Sequence, residues 1–284
     1  MFELAYSVRT VRNSVLRRET RVGIAGGARS SRYLIQSLAQ GLQVLEQFGR
    51  APRGFTLMDL AREMQLTKAT AFRYLSTLAA LGFLELEEET RRYRPAVRLL
   101  RLGGEYLAAL SVRDVATPFL ERLSARFGES VNLAVLDETE VVYVARVGGK
   151  RILSTNLGVG SRLPAHCTSM GKVLLAYASP AGQRRILSKI QFTRLTPKSI
   201  TSVARLREVL AAVRRQGYAI NDQELDLGLR SCAAPVFGRN GNVIAAVNVS
   251  TSTAGATFAD VESRYVPALV ETAREITEVL KDHY

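Results

Sequence analysis

Between residues 55 and 95, apolar side chains recur at the spacing of two short amphipathic helices. Thr56 and Asp59 have the spacing of a capping box, which predicts that the first helix begins directly after Thr56. The apolar positions that follow are three or four residues apart, as on one side of a helix. The predicted buried side of this helix comprises Leu57, Leu60, Ala61 and Met64.

A second helix is predicted to begin after Thr67, a residue type favoured at helix N-termini, and to end at Gly82. Its predicted buried stripe comprises Phe72, Leu75, Leu78 and Ala79. The predicted outer face carries Lys68, Thr70, Arg73, Tyr74 and Thr77. Two short helices joined at residues 65–66, the second with a polar and basic outer face, are typical of a helix-turn-helix that places its second helix in a DNA groove.

The segments on either side of this helix pair complete a small domain. Residues 83–87 and 91–94 alternate in polarity like the two arms of a hairpin, which predicts a wing with a basic second arm. A preceding helix carries Leu38, Leu42, Leu45 and Phe48 on one side. Residues 33–94 are therefore predicted to form a winged helix-turn-helix; the alternative is a pair of ordinary amphipathic helices with a solvated face. The candidate DNA-binding residues are Thr56, Thr67, Lys68, Thr70, Arg73, Tyr74, Thr77, Arg91, Arg92 and Arg94.

The segments flanking this domain have their own patterns. Residues 1–32 contain seven arginines, which suits a basic arm that wraps DNA; a disordered extension or a misplaced start codon are the alternatives. Residues 95–112 carry apolar side chains three or four apart and are predicted to form a linker helix. This stripe would pair with another helix in a dimer or pack on its own domain.

From residue 113 to residue 284 the pattern becomes a mixture of helices and strands. The order predicts an α+β domain with an antiparallel sheet. A two-residue hairpin loop is expected at Asn240-Gly241, and a turn at Asp137-Glu138. The predicted helices are 118–127, 169–178, 205–216 and 258–280 (one helix or two), and the predicted strands are 131–136, 141–147, 152–156, 233–237 and 243–250.

Composition narrows the class of protein. The net charge of +13 and the sequence pI of about 10.2 favour an anionic partner, nucleic acid before membrane. Two cysteines cannot form the disulfide framework of a small secreted domain, and no apolar run reaches the length of about 18 residues that a membrane span needs. Without a signal-peptide pattern, a cytoplasmic protein is expected.

Catalytic and metal-binding signals are weak. The chain has two histidines, and its cysteines and histidines are too scattered for a structural zinc site. Residues 158–160 lack the third glycine of a dinucleotide fingerprint, so no cofactor is expected. Polar residues among apolar ones suit a pocket for a small organic acid instead. The candidate effector-binding residues are Asn156, Arg162, His166, Cys167, Thr168, Ser169, Asn221, Glu224, Ser231, Cys232, Asn248 and Ser250.

Several segments resemble the IclR-type transcriptional regulators. Residues 36–42, the helix-turn-helix at 56–82 and the wing at 90–94 look like the DNA-binding domain of that family, and residues 158–176 and 217–236 look like its effector domain. The resemblance covers residues 33–280. It implies a winged-helix domain, a GAF-like effector domain that binds a small organic acid, and a homodimer or homotetramer on a pseudo-palindromic operator.

Residues 163–171 are most similar to β-ketoadipate pathway regulators that respond to protocatechuate or 4-hydroxybenzoate. This similarity implies an aromatic acid effector and control of aromatic catabolism genes. The chain departs from the family pattern at four places. Arg91 stands where glycine is frequent, Asn221 where an acid is usual and Gly238 where Asp or Asn is usual, while Ser231-Cys232 replaces a cysteine followed by an aliphatic residue.

Two other classes of function compete with a ligand-responsive regulator. One is a DNA-binding oligomer whose second domain binds no ligand. The other is a cysteine-dependent enzyme using Cys167 or Cys232, although no base is placed for either thiol by the sequence. RNA binding is disfavoured because the aromatic stacking platform of common RNA-binding modules is missing.

Overall fold

The computed structural model describes residues 34–49, 51, 53–101, 111–149 and 157–283. The chain separates into two compact units, with the boundary between residues 109 and 110. The predicted N-terminal extension, residues 102–110 of the predicted linker helix and the predicted strand at 152–156 lie outside the described residues.

The first unit is a winged helix-turn-helix, as predicted. Its elements are α1 (Gln36–Phe48), β1 (Phe55–Thr56), α2 (Leu57–Glu63), α3 (Lys68–Ala80), β2 (Leu84–Glu87) and β3 (Arg92–Pro95). Helix α2 begins at the Thr56–Asp59 capping box, helix α3 begins after Thr67, and the chain turns at Gly82 with φ of 74°. The three strands are antiparallel and pair in the order β1–β3–β2.

The predicted buried stripe of α3 is partly wrong. Ala71, Leu75 and Leu78 face the core, whereas Phe72 is exposed. Helices α1 and α2 both contact α3. Ala71 is fully buried at this contact and adds only a methyl group to it, so α3 packs with Ala71 inward and Phe72 outward. On α1, Leu38 and Leu42 are also exposed. The buried side of α1 is formed by Val44 and Phe48.

The second unit is an α+β domain with an antiparallel sheet, as predicted. Its first helix begins at Ser111 and runs through Pro118, where the sequence predicted a start. The additional elements that the sequence did not predict are the strands at 162–164 and 219–222 and a helix at 180–187. The elements are α4 (Ser111–Phe127), β4 (Ser130–Asp137), β5 (Glu140–Val147), β6 (Arg162–Pro164), α5 (Ser169–Tyr177), α6 (Pro180–Leu187), α7 (Val203–Gln216), β7 (Ala219–Asp222), β8 (Leu229–Phe237), β9 (Val243–Ser252), α8 (Phe258–Asp260) and α9 (Val266–His283), with a 3-10 turn at Ala165–Cys167 and a π-helical turn at Val261–Tyr265.

The six strands of this unit pair in the order β6–β5–β4–β9–β8–β7. Glu138 takes a positive φ of 52° in the β4–β5 turn, at the predicted position. The predicted two-residue loop between β8 and β9 is wrong. Phe237 pairs with Val243, so the loop has five residues, and within it only Gly241 has a positive φ, whereas a two-residue type I′ turn needs two.

The two faces of the sheet are covered by different helices. Helices α4 and α9 contact each other and one face, while α5 packs on the other face and against α7. Alanines in β4, β8 and β9 lie under α5: Ala134, Ala233 and Ala246 belong to the same buried cluster as Met170 and Leu174. Among the helices of the described residues, none combines the length and the apolar character that a membrane crossing requires.

Candidate functional site

The outward face of α3 is rotated from the face predicted by the sequence. Lys68, Arg73 and Thr77 are exposed as expected, but they share this side with Ala69 and Phe72. Tyr74 is half-buried, and its hydroxyl donates to Gln40 Oε1 at 2.7 Å. That hydrogen bond joins α3 to α1, so Tyr74 helps to fix the position of the helix within the domain.

Three of the candidate threonines act at helix N-termini. The hydroxyl of Thr56 accepts the Asp59 amide at 3.2 Å, and that of Thr67 accepts the Thr70 amide at 3.2 Å. The Thr67 and Thr70 hydroxyls also lie 2.8 Å apart. Hydrogen bonds with Thr56 hold the pKa of Asp59 below its usual value. These contacts set where α2 and α3 begin.

The basic residues of the wing are paired with acids. Arg94 lies 3.0 Å from Glu87, and Arg91 lies 2.6 Å from Glu88. Arg92 donates to Gly54 O at 3.0 Å and has Asp59 within 3.5 Å. By contrast, the side chains of Lys68 and Arg73 on α3 have no ion-pair or hydrogen-bond partner within the described part of the chain. The free cations of this unit therefore include those on the outward face of α3.

The wing turn is formed without the glycine that is frequent at this position. Arg91 adopts φ of 53°, in the left-handed region that costs a residue with a side chain roughly 1 kcal/mol or more. Its ion pair with Glu88 joins the first and last residues of the turn. The turn therefore keeps its conformation with arginine present.

A row of polar side chains crosses the centre of the six-stranded sheet. Residues directly opposite in neighbouring strands share a face, so the register places these side chains together. The sheet polar patch comprises Ser130 and Asn132 on β4, Asn248 and Ser250 on β9, Ser231 on β8 and Asn221 on β7. It lies on the α5 side of the sheet, because Ser169 Oγ is 2.8 Å from Ser231 Oγ.

Hydrogen bonds connect three members of the patch to one another. Asn132 Nδ2 donates to Asn248 Oδ1 at 2.7 Å, and Asn248 Nδ2 donates to Ser250 Oγ at 3.1 Å. Arg146 on β5 adds a positive charge at one end, donating to Asn132 Oδ1 at 3.1 Å. Ser130, Asn132 and Arg146 were not among the residues predicted from the sequence. The available signal was Asn132 itself, a lone amide in the apolar strand β4.

The start of α5 packs closely against the 3-10 turn at Ala165–Cys167 through a glycine. A Cβ at Gly171 would lie 2.1 Å from the carbonyl oxygen of Ala165, so no other residue fits without movement of backbone. Thr168 caps the helix by accepting the Gly171 amide at 3.1 Å. Ser169, the first residue of α5, lies against Ser231, and both residues are buried.

His166 and Cys167 are buried beside the patch. Asn221 Nδ2 donates to Cys167 O at 2.8 Å, which ties the 3-10 turn to the edge strand β7. Burial raises the pKa of Cys167 to about 12 and lowers that of His166. A buried protonated thiol is a poor nucleophile. Within the described residues no cluster of three or more His, Cys, Asp or Glu side chains is arranged to hold a metal ion.

A buried ion pair lies next to this turn. Lys172 is 2% exposed, and its Nζ donates to the Glu224 carboxylate and to Ile220 O. Burial raises the pKa of Glu224, against the opposing effect of Lys172. Glu224 therefore serves as the counter-charge of Lys172, and the backbone amide of Glu224 donates to Asn221 Oδ1 at 2.9 Å.

Two of the candidate effector-binding residues lie away from the patch and from the turn beside it. Cys232 follows Ser231 in a strand, so its side chain points to the opposite face, where α9 packs. Arg162 lies on the edge strand β6, is partly exposed and is paired with Asp137 at 2.6 Å and Glu140 at 2.7 Å. Asn156 lies outside the described residues. The expectations for Cys232 and Arg162 are therefore corrected: strand alternation and edge position separate them from the other candidates.

A cavity lies at the N-terminal end of α7. It is a half-open cavity of about 280 Å³, lined by Lys198, Ile200, Ser202, Arg205, Val209 and Glu224, among others. Its two basic residues are already neutralised, Lys198 by Asp222 and Arg205 by Glu208. The sheet polar patch offers hydroxyl and amide groups instead.

Comparisons with known proteins agree with both units. Residues 37–88 match the IclR helix-turn-helix domain, and residues 104–278 match the bacterial transcriptional regulator IclR C-terminal domain. The Pca regulon regulatory protein of Pseudomonas putida is 35% identical over 245 residues, which are 86% of this chain and 84% of that protein. The p-hydroxybenzoate hydroxylase transcriptional activator of Acinetobacter baylyi is 35% identical over 251 residues, 87% of this chain and 92% of that protein.

Solved structures share the fold. An IclR homologue from Microbacterium hydrocarbonoxydans, crystallised with 4-hydroxybenzoate, superposes with a TM-score of 0.74 at 32% identity and covers 87% of this chain and 99% of its own. The prediction of a DNA-binding regulator rather than an enzyme is confirmed by these relatives. With its helix-turn-helix and effector domains both matched, the chain belongs to the IclR family of transcriptional regulators.

Proposed function

We propose that this regulator binds operator DNA through the outward face of α3 and is controlled by an aromatic carboxylate bound at the sheet polar patch. 4-Hydroxybenzoate and protocatechuate are the proposed effectors. The observation that carries the effector half is the row of polar side chains from Arg146 to Asn221 on an otherwise apolar sheet face. Such a patch suits a ligand with an apolar ring and polar groups at its ends.

On the DNA side, the proposal is supported by the contrast between α3 and the wing. Lys68 and Arg73 are exposed and uncompensated, so phosphates or base edges can bind them without breaking an ion pair. Arg91, Arg92 and Arg94 of the wing must exchange a carboxylate for a phosphate. Base reading is therefore assigned to α3, and backbone contact to the wing.

On the effector side, the chemistry of the patch matches an aromatic acid. The Arg146 guanidinium uses one N–H on Asn132, and its remaining N–H groups can bind a carboxylate. Ser231, Ser250 and Asn248 supply groups that donate to or accept from a phenol. A relative named for p-hydroxybenzoate hydroxylase activation and a structural neighbour crystallised with 4-hydroxybenzoate support this ligand class.

The regulator is further proposed to act as a homodimer or homotetramer. Two reading helices at a fixed spacing are needed to read a pseudo-palindromic site. The first unit exposes Leu38 and Leu42 on α1, and Val97 and Leu100 after the wing. Several exposed apolar side chains in one small domain support burial against a second copy.

The test is fluorescence anisotropy with labelled DNA from the neighbourhood of the protein's own gene, against a random duplex of equal length. Each titration is run at several salt concentrations, with and without 4-hydroxybenzoate or protocatechuate. We expect selective, salt-dependent binding that one of the acids alters. Selective binding that ignores both acids would discard the effector half, and equal binding to both duplexes would discard the DNA half.

Two variants separate the patch from the cavity at the start of α7. Ser231→Ala removes a hydroxyl of the patch, whereas Arg205→Ala removes a cation from the cavity. Loss of the response to acid in Ser231→Ala alone would support the patch. Loss in Arg205→Ala alone would assign the ligand to the cavity. Circular dichroism of both variants checks that the fold is retained.

A further inference from the structure

An aromatic ring stands on the DNA-facing side of α3 where a core residue was predicted. The Phe72 side chain is 53% exposed and does not belong to the buried cluster of the first unit or to the side chains packed against it. Helix periodicity places it in one row with Ala69, Arg73 and Ser76, spaced i, i+3, i+4 and i+7. That row is the outward side of the helix, opposite Ala71, Leu75 and Leu78.

A single exposed apolar side chain is ordinary on a protein surface, so its position carries the argument. Phe72 adjoins Arg73, which is exposed and without an ion-pair partner in the described chain, and Lys68 lies one turn before it. The methyl group of Ala69 faces the same way one turn earlier. An apolar strip therefore runs beside free cations on the face assigned to DNA.

We propose that Phe72 is a specificity-determining residue that reads thymine through its C5 methyl group. This inference rests on the proposed entry of α3 into the major groove. The thymine methyl is the one apolar group that base pairs present there, and contact with a Phe ring is a recognised way to read it. Arg73, the neighbouring donor, suits guanine O6 and N7 or a phosphate. The preferred half-site therefore contains a thymine close to the base or phosphate bound by Arg73.

The experiment uses the full chain and a random duplex library, because no operator sequence is needed. Sequences selected by the wild-type protein are resynthesised with deoxyuridine replacing one thymine at a time, which removes only the methyl group. At the position read by Phe72 we expect affinity to fall about fourfold, the loss for one buried methyl-sized group. The Phe72→Ala variant should bind the thymine and deoxyuridine duplexes equally, and Phe72→Leu should retain part of the preference.

Arg73→Ala is the matched control on the same helix. It should bind more weakly but keep the wild-type sensitivity to deoxyuridine, because the methyl contact is independent of the cation. The thermal midpoint of Phe72→Ala should match that of wild type, since the ring lies outside the core.

The experiment distinguishes failure of the Phe72 proposal from failure of the proposal that α3 reads DNA. If wild type selects a sequence but Phe72→Ala shows the same deoxyuridine loss, the assignment of Phe72 is overturned while α3 remains the reading helix. If no position is sensitive to deoxyuridine, the methyl contact is likewise overturned. If wild type selects no sequence, both proposals fail. If the molar mass of Phe72→Ala in light scattering differs from that of wild type, and the variant still loses affinity for the deoxyuridine duplex, Phe72 would be assigned to a contact with protein instead.

Discussion

Ser169 Oγ lies 2.8 Å from Ser231 Oγ, which joins the first residue of α5 to the middle of the sheet. Two hydroxyls that share one hydrogen bond have a second hydrogen to donate. That hydrogen can bind a carboxylate or phenolate oxygen placed on the sheet polar patch. In the proposed site, the same pair would link ligand contact to the position of α5, whose close approach to the 3-10 turn at Ala165–Cys167 depends on Gly171.

Substitution of either serine should weaken effector binding. We expect Ser169→Ala and Ser231→Ala each to lower the affinity for 4-hydroxybenzoate by about 0.5–1.5 kcal/mol, the range for one hydrogen bond. Isothermal titration calorimetry measures this directly. Ser263→Ala is the control, because its hydroxyl is bonded only to Ala259 O on an exposed helix. Unchanged affinity in both serine variants would remove this pair from the effector site.

Arginines with and without acidic partners should behave differently in DNA binding. Arg73→Ala is expected to cost about 1–3 kcal/mol on the selected operator and to relax specificity. Arg94→Ala should cost less and act equally on all sequences, because Arg94 is already neutralised by Glu87. Fluorescence anisotropy over a salt series distinguishes these effects. Arg207→Ala is the control for the loss of one positive charge, because Arg207 is an exposed residue of α7. Equal losses on operator and random DNA would make Arg73 a phosphate contact instead.

Substitution of two helical glycines by alanine should change the free energy of unfolding in opposite directions. Gly171→Ala forces a Cβ to within 2.1 Å of Ala165 O, so we expect a loss of about 1–3 kcal/mol or more in unfolding free energy. Gly41→Ala meets nothing closer than 3.9 Å and should stabilise α1 by about 0.5–1 kcal/mol. Urea denaturation measures both. A neutral Gly171→Ala would mean that the turn at Ala165–Cys167 can move away from α5.

Acid should remove the contribution of Asp222 to the stability of the folded protein. Burial by itself would raise the pKa of Asp222, but hydrogen bonds from Lys198, Arg230 and Gln223 outweigh it and lower the pKa from 3.8 to about 2. A carboxylate with a lowered pKa stabilises the folded state above 3.8, and this stabilisation disappears as pH falls towards 2. Asp222→Asn should therefore lower the thermal midpoint at neutral pH, with the difference from wild type shrinking over that interval. A difference independent of pH would contradict this account.

Neither cysteine should react in the folded protein. Burial raises the pKa of both Cys167 and Cys232 to about 12, so each thiol stays protonated near neutral pH. We expect iodoacetamide to leave both unmodified in native buffer and to alkylate both in denaturant, as measured by intact mass. Rapid alkylation of Cys167 in the native state would instead indicate that the segment next to Ser169 opens.

The sequence was sufficient for the elements whose signals are local. The Thr56–Asp59 capping box, the Thr67 cap and the turn at Gly82 all depend on contacts within a few residues, and all three are found at the predicted positions. Strands β4 and β5 were similarly marked by continuous apolar runs around the turn at Asp137-Glu138. The two-domain order follows from these local signals because each domain has its own periodicity.

Helix orientation and the membership of the effector site were decided by long-range packing. A 3–4 spacing fits stripes that include either Ala71 or Phe72, and only the contacts of α3 with α1 and α2 select Ala71 for the core. Likewise, Ser231 and Cys232 are equivalent candidates in sequence. The side of β8 that faces α5 decides between them, because side chains alternate along a strand. Asn132 and Arg146 enter the site through register across strands, which no single segment of sequence contains.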